Sequence, residues 1–326
     1  MGKIENVKTY SGKDLDTIFF RPMLTGKSAE ELGIKIMYNT SVPAKLHFWK
    51  RSGDILQQYS ASGWKGGAPA TKYQKDVAMH KVKAEIGYSA DDYFSFVYEL
   101  ITNSPEVNMD DLSGTELEAA ETQLFRESIA ESIRATMWLG DTSRADTLNT
   151  FDGFIKRIVA DAAESDSEIV SHKFSKADTG WEEKLLKTLW ENASEQLKEL
   201  KSEGQLAYFV TSDIYNAYED SLDNVLLDAA YMAKQAGRDS LLYRGIPVID
   251  VQVSGYLDKC PDMPSSFAFL TDRRNLALFV NTNEFPGTEV RMWYNPDLME
   301  NRQRAIFMAG CDYLLPELLT FATEQE

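Results

Sequence analysis

The stretch "TMWLGDTSRADTLNTFDGFIKRI", residues 136–158, closes the most strongly periodic segment of the chain. Upstream of it, "SGTELEAAETQLFRESIAESIRATMWLG" places Leu117, Ala120, Leu124, Phe125, Ile129, Ile133 and Met137 at helical spacing. Ser113 with Glu116 fits a capping box, and Gly140 is a stop for the helix. A second helical pattern, "WEEKLLKTLWENASEQLKELKSEG", carries a broad stripe through Trp181, Leu185, Leu186, Leu189, Trp190, Ala193, Leu197 and Leu200. Thr179 with Glu182 reads as its cap, and Gly204 follows its last turn. Stripes of this kind are core faces.

The texture on either side differs. Residues 1–45 are mixed and polar, without a sustained apolar period, and read as an extended arm. "KLHFWKRSGDILQQYS" then leads to the tip "ASGWKGGAPAT", and "VAMHKVKAEIGYS" reads as the return leg of a long hairpin. In that leg His80, Val82, Ala84, Ile86 and Tyr88 alternate with Lys81, Lys83 and Glu85, the period of a half-buried strand. An isolated two-stranded ribbon is marginally stable in water, so such a hairpin needs a surface to lie on. After Gly204 the runs "LAYFVT", "IPVIDVQV", "FAFL" and "NLALFVN" read as strands. "SDIYNAYEDSL" and "NVLLDAAYMAKQAG" read as helices between the first two. "EVRMWYN" alternates Val290, Met292 and Tyr294 with Arg291 and Trp293, and "AIFMAGCDYLLPELLTFA" reads as a last strand turned at Pro316. The pattern is α+β: segregated helices, two sheets and a long arm.

Composition narrows the function classes. The 326 residues carry a formal charge of −17, with 51 acidic against 34 basic side chains. That field disfavours non-specific binding to nucleic acid or to an anionic membrane. No apolar run is long enough to span a bilayer as a helix. Cys260 and Cys311 are too few for a disulfide framework and read as small core residues, which fits a reducing cytoplasm as the place of synthesis. His47, His80 and His172 are far apart and none has a partner at metal-ligand spacing. "LTGKS" at 24–28 ends like a phosphate loop, but Arg21 stands where the earlier glycine is required. There is no nucleophile elbow and no dinucleotide fingerprint. No catalytic, metal or cofactor-binding residue emerges, so structure or interaction is the expected class rather than an enzyme.

The order of elements carries a family resemblance. A polar arm, a hairpin with a Gly/Lys/Trp tip, a long helix ending Leu139-Gly140-Asp141, and then Asp152-Gly153-Phe154-Ile155 resemble the major capsid proteins of tailed double-stranded-DNA bacteriophages. That fold, the Hong Kong phage fold, is shared with encapsulins. "YFVTSDIYNAYEDSL", "YRGIPVI", "FLTDRRNLALFV" and "RAIFMAGCDYLLPE" resemble the strands and helix of the family's axial domain and its closing strand, in collinear order over roughly residues 40–320. In that frame "LLYRGIPVIDV", residues 241–251, is a central strand, with Gly245 permitting a tight approach and Pro247 near the strand start costing no ladder bond.

The resemblance implies an N-terminal arm at 1–45, an extended hairpin at 46–88, a peripheral domain with a long spine helix at 89–175 and 285–326, and an axial domain at 176–284. It implies self-assembly into an icosahedral head of pentamers and hexamers enclosing a phage or prophage genome, without sequence-specific DNA binding and without a membrane. Trp49, Arg51, Trp64 and Lys65 on the hairpin are the candidate subunit contacts, because Trp and Arg dominate interface energetics. With the hairpin starting near residue 45, a fused scaffolding segment does not fit; a separate scaffolding protein, or none, and a portal are the further partners expected. Some members cross-link a hairpin Lys to an Asn; Lys65 and Asn295 or Asn301 have the right types, with no motif to fix them. Two other readings remain: an encapsulin-like shell around protein cargo, and a small soluble hydrolase using a carboxylate pair in an acidic cleft.

Overall fold

Strands rich in aromatic and β-branched residues must bury two faces or one, and this chain does both. The structure, a computed structural model, describes residues 8–10, 32–38, 44–50, 71–89, 116–164, 167–225, 241–281, 289–295, 297–298 and 300–325. In chain order the strands are β1 (Lys8–Tyr10), β2 (Lys35–Tyr38), β3 (Ala44–Lys50), β4 (Thr71–Val77), β5 (His80–Ser89), β6 (Val170–Phe174) and β7 (Leu206–Val210). They continue with β8 (Leu242–Tyr243), β9 (Ile246–Asp250), β10 (Phe267–Asp272), β11 (Leu276–Asn281), β12 (Glu289–Asn295), β13 (Glu300–Tyr313) and β14 (Leu319–Glu324). The helices are α1 (Glu116–Leu139), α2 (Phe154–Ala162), α3 (Trp181–Glu191), α4 (Glu195–Glu199), α5 (Ser212–Val225) and α6 (Ser254–Leu257).

One sheet runs β1-β12-β13-β11-β2, with β5 also paired to β13; a second runs β6-β14-β10-β7-β9-β8; β3 and β4 form a separate two-stranded ribbon. The fold is α+β, as the sequence pattern predicts. In the second sheet β7 and β10 are buried at every position, because both faces are covered. Phe209, Phe269 and Phe321 face α1 and α2 in one core. Tyr208, Val210, Leu270 and Ala322 face α3 and α5 in the other. Period-two alternation thus sorts each strand between two cores.

Trp138 stands at the meeting of these layers. It is fully buried, and its ring lies 5.5 Å from Phe154, 5.6 Å from Phe209 and 6.0 Å from Phe269. One aromatic side chain thus ties α1 to α2 and to the second sheet. Its seat depends on the turn that follows. A Cβ on Gly140 would fall 2.2 Å from the Phe151 carbonyl oxygen, and one on Gly153 would fall 2.7 Å from the Gly140 nitrogen. The two glycines are in backbone contact, with Gly153 N donating to Gly140 O at 2.8 Å.

Several readings of the sequence hold and several do not. The helix over 113–140 is α1, ended at Gly140; Ser113 lies outside the described residues. In β5, Val82 is buried while Lys81, Lys83 and Glu85 are exposed, as the alternation predicts. The hairpin, however, is not closed by β5. Its return leg is β4, which pairs with β3 from Ala44↔Val77 to Lys50↔Thr71, while β5 pairs with β13 from His80↔Ala309 to Ser89↔Glu300. The alternation of residues 80–89 therefore records the apolar face that β5 gives to the first sheet's core, not a hairpin leg.

The helix over 181–204 is broken in two. Ser194 interrupts it by accepting from Leu197 N at 3.2 Å, capping α4. Gly180, left-handed at φ +67°, precedes α3 in place of a Thr179 cap. "NVLLDAAYMAKQAG" falls almost wholly outside the described residues. β14 pairs with β10 from Phe267↔Thr323 to Thr271↔Leu319. Cys260 and Cys311 are buried and free.

Gly140→Ala and Gly153→Ala each place a methyl group inside backbone van der Waals radii. Chemical denaturation should show each losing at least about 3 kcal/mol, or no soluble protein, whereas Gly180→Asn should change stability by less than about 1 kcal/mol.

Candidate assembly site at the root of the hairpin

The ribbon β3–β4 must leave the body somewhere, and the chain marks the place with a glycine and a buried charge. Between β4 and β5, Ala78 passes so close to β13 that a Cβ on Gly310 would fall 2.5 Å from the Ala78 carbonyl oxygen. Val77 packs with Ala277 and Phe279, and Met37, Met79 and Leu314 close this small cluster. Two residues before Val77, Lys75 projects back into the body. Its Nζ donates to Asp312 Oδ1 and to the Tyr313 carbonyl, both at 2.8 Å, and sits 3.7 Å from the centre of the Tyr313 ring.

Asp312 is fully buried. Besides Lys75 it accepts from Tyr313 N at 2.9 Å and pairs with Arg157 of α2 at 3.3 Å. Tyr313 in turn donates its hydroxyl to Asp161. Burial pushes the Asp312 carboxyl above its ordinary range, against the pull of Lys75 and Arg157. Its ionisation therefore costs the folded state, and the attraction offsets that cost only in part. What the network supplies is position: an ammonium drawn to a buried carboxylate has one place to sit. The ribbon is held at a fixed point on the body, between β13 and α2.

A second charge cluster braces the 140–153 turn. Lys156 Nζ bridges Asp141 at 2.6 Å and Asp152 at 2.7 Å. Burial draws the Asp141 carboxyl upward, but hydrogen bonds from Lys156 and Ser143 outweigh it and hold the group at about 2. Arg144 closes the end of α1 by donating to the Leu139 carbonyl at 2.8 Å. Arg134 of α1 donates to the carbonyls of Val251 and Gln252 at 3.3 and 3.1 Å, tying the chain just after β9 to the long helix. The stretch 241–251, read from the sequence as one central strand, is instead the edge hairpin β8–β9, turned at Arg244 and Gly245 with φ of +52° and +78°, and Gly245 is there for that turn because no atom approaches it closely. These clusters fix one part of the body to another.

Among the described residues, two lysines each join a pair of carboxylates. Asp141 and Asp152 share Lys156, and Asp213 and Glu324 share Lys176. Among the described residues no group of three His, Cys, Asp or Glu side chains is placed to hold a metal, and no helix is long and apolar enough to cross a membrane. A groove of about 430 Å³ between α1 and β5 has an apolar floor of Phe125, Ile129, Ile133, Val82 and Phe307.

Of the candidate contacts, Trp49 lies in β3 opposite Lys72. Arg51, Trp64 and Lys65 lie outside the described residues. Asn295 ends β12, and Asn301 is buried in β13. The residues that sequence reasoning passed over are Lys75, Arg157 and Asp312. The signal was there in "FMAGCDYLL": a carboxylate inside an apolar run requires a cation from elsewhere.

No protein-family model and no curated protein sequence matches the chain. Solved structures do. A chain of the satellite phage P4 procapsid, a particle that includes the size determination (Sid) protein, is similar with a TM-score of 0.61 and 11% identity over 94% of this chain and 90% of that one. The capsid of a native GTA particle gives 0.55 and 12% over 92% and 90%, and that of the empty particle 0.54 and 14% over the same shares. At such identities the likeness shows the fold: this chain has the α+β fold of phage and GTA capsid chains.

Two outcomes follow from this geometry. Lys75→Met keeps the aliphatic stem but leaves Asp312 short of its nearer cation; the chain should lose about 2 kcal/mol in urea denaturation, and protease cleavage within 44–77 should accelerate. The folded Asp141 carboxyl lies below its ordinary value of about 3.9. The stability it contributes is therefore complete above about pH 4 and is lost as pH falls toward 2. Urea midpoints across that window should fall less steeply for Asp141→Asn than for the wild-type chain.

Proposed function

We propose that the chain is a structural coat subunit whose copies self-assemble, as pentamers and hexamers, into a closed icosahedral head around a phage or prophage double-stranded DNA genome. It has no catalytic role and no cofactor. It is made in the cytoplasm of a bacterial host, ends in the virion, and works with a portal and with a separate scaffolding protein or none. The observation that carries this reading is a capsid-type fold extending over about nine-tenths of the chain and of the capsid chains it resembles. The ribbon β3–β4 supports it. Among the described residues its two strands join no larger sheet; such a pair is marginal alone, and an adjoining subunit supplies the surface it lacks. Trp49, Arg51, Trp64 and Lys65 are the proposed contacts of that hairpin.

Co-expression with its genomic neighbours, followed by sedimentation and negative-stain microscopy, tests the proposal. Closed shells containing or admitting DNA are expected. Shells filled with a protein cargo and no nucleic acid would make it an encapsulin-like compartment, and a monomer or dimer under all these conditions would overturn the shell reading. Replacing residues 51–70 with a short Gly-Ser turn should leave thermal unfolding of the body nearly unchanged and abolish closed shells.

A further inference from the structure

A subunit with a formal charge of −17 repels its own copies, so an assembly of such subunits needs places where the sign reverses. One face of the first sheet is such a place. The strands β12 and β5 flank the first half of β13, and residues directly opposite one another share a face. Val290, Met292, Ala305, Phe307 and Val82 form the inner face and are buried. On the outer face the register aligns Arg291 with Arg304, Trp293 with Arg302, and Lys83 and Lys81 with Ile306 and Met308. Among the described side chains, five cations are gathered there beside the carboxylates of Glu85 and Glu300, while the whole chain has 34 cations against 51 carboxylates.

The chemistry of this face is that of a protein contact. Trp293 lies between two guanidinium groups, Arg304 at 5.7 Å and Arg291 at 6.0 Å from its ring centre. Arg291, Lys81 and Lys83 are exposed, and the Trp293 ring is half-buried. A tryptophan with two arginines beside its ring has the residue types of an interface hot spot. Lys83 and Arg302 are already paired, with Glu85 at 2.8 Å and Glu300 at 3.3 Å. Among the described side chains the face is thus mixed in sign, with cations in excess.

We propose that this outer face, centred on Trp293 and Arg291, is a docking surface for the acidic surface of a second copy of this chain. The proposal rests on the shell reading above and adds to it one specific contact. Charge complementarity selects the partner, because the copy supplies the excess of 17 negative charges that the face lacks. Contact brings the cations of one subunit against the carboxylates of the next, and Trp293 supplies the desolvated centre.

The test uses the full chain, as an equal mixture of unlabelled and ¹⁵N-labelled protein under assembly conditions, treated with a zero-length carbodiimide cross-linker. Mixed-isotope peptides joining Lys81 or Lys83 to an Asp or Glu are expected. The double variant Arg291→Glu/Trp293→Ala should weaken self-association by on the order of tenfold or more, and raising salt should weaken the wild-type chain in the same direction. Should the double variant fail to fold, Lys81→Glu/Lys83→Glu, at two exposed positions, serves in its place. Shells that form without mixed-isotope links from Lys81 or Lys83, and variants that assemble like the wild type, would overturn this proposal while leaving the shell reading intact. A variant that assembles normally but loses retention of DNA would assign the face to nucleic acid and equally overturn it. A chain that never self-associates would overturn both.

Discussion

The constraint on which the structure depends is the backbone contact between Gly140 and Gly153. With no Cβ on either, the end of α1 and the start of α2 come close enough for a direct hydrogen bond, and Trp138 is seated between them and the second sheet. Any side chain at those positions would push α2 away and open the aromatic cluster of Trp138, Phe154, Phe209 and Phe269. Arg157, one turn further along α2, would then leave Asp312, and the root of the hairpin would lose one of its two cations. A pair of glycines thus governs a contact made by a residue far along the chain.

Charge is used in two ways. Inside the body, Lys156 and Lys75 reach carboxylates that burial has made expensive to ionise or that hydrogen bonds have made easy to ionise; in both cases the result is fixed geometry. On the surface the excess of acid keeps free copies apart. Under the coat-subunit proposal, free copies repel one another and associate only where shape and local sign both match. That is the physical content of the coat-subunit proposal, and it requires no reactive group.

How much of this was legible beforehand varied with the physics involved. The long helix and the central strands were readable, because α1 and β5 each bury one face and the period shows in the residues. The hairpin partner was not. "TKYQKDV", residues 71–77, has no apolar alternation, since its ribbon is not a core element, while the clean alternation of residues 80–89 reported a sheet and was read as a hairpin leg. The break at Ser194 was hidden for a related reason: the apolar stripe of residues 181–200 continues across it, and only the capping serine interrupts the helix. Two of the pieces that carried the family resemblance, residues 139–141 and 152–155, contain Gly140 and Gly153, where the backbones touch. The proposed contacts at Trp49, Arg51, Trp64 and Lys65 were chosen by residue type alone, which locates no surface.

The claim at the centre is that the β3–β4 ribbon is completed by a neighbour. Hydrogen–deuterium exchange of the amides in 44–50 and 71–77, compared between free subunits and assembled particles, tests it directly. The account predicts rapid exchange in the free chain, well ahead of β7 and β10, and strong protection on assembly. Amides as protected in the free subunit as those of β7 and β10, with no change in the particle, would contradict it.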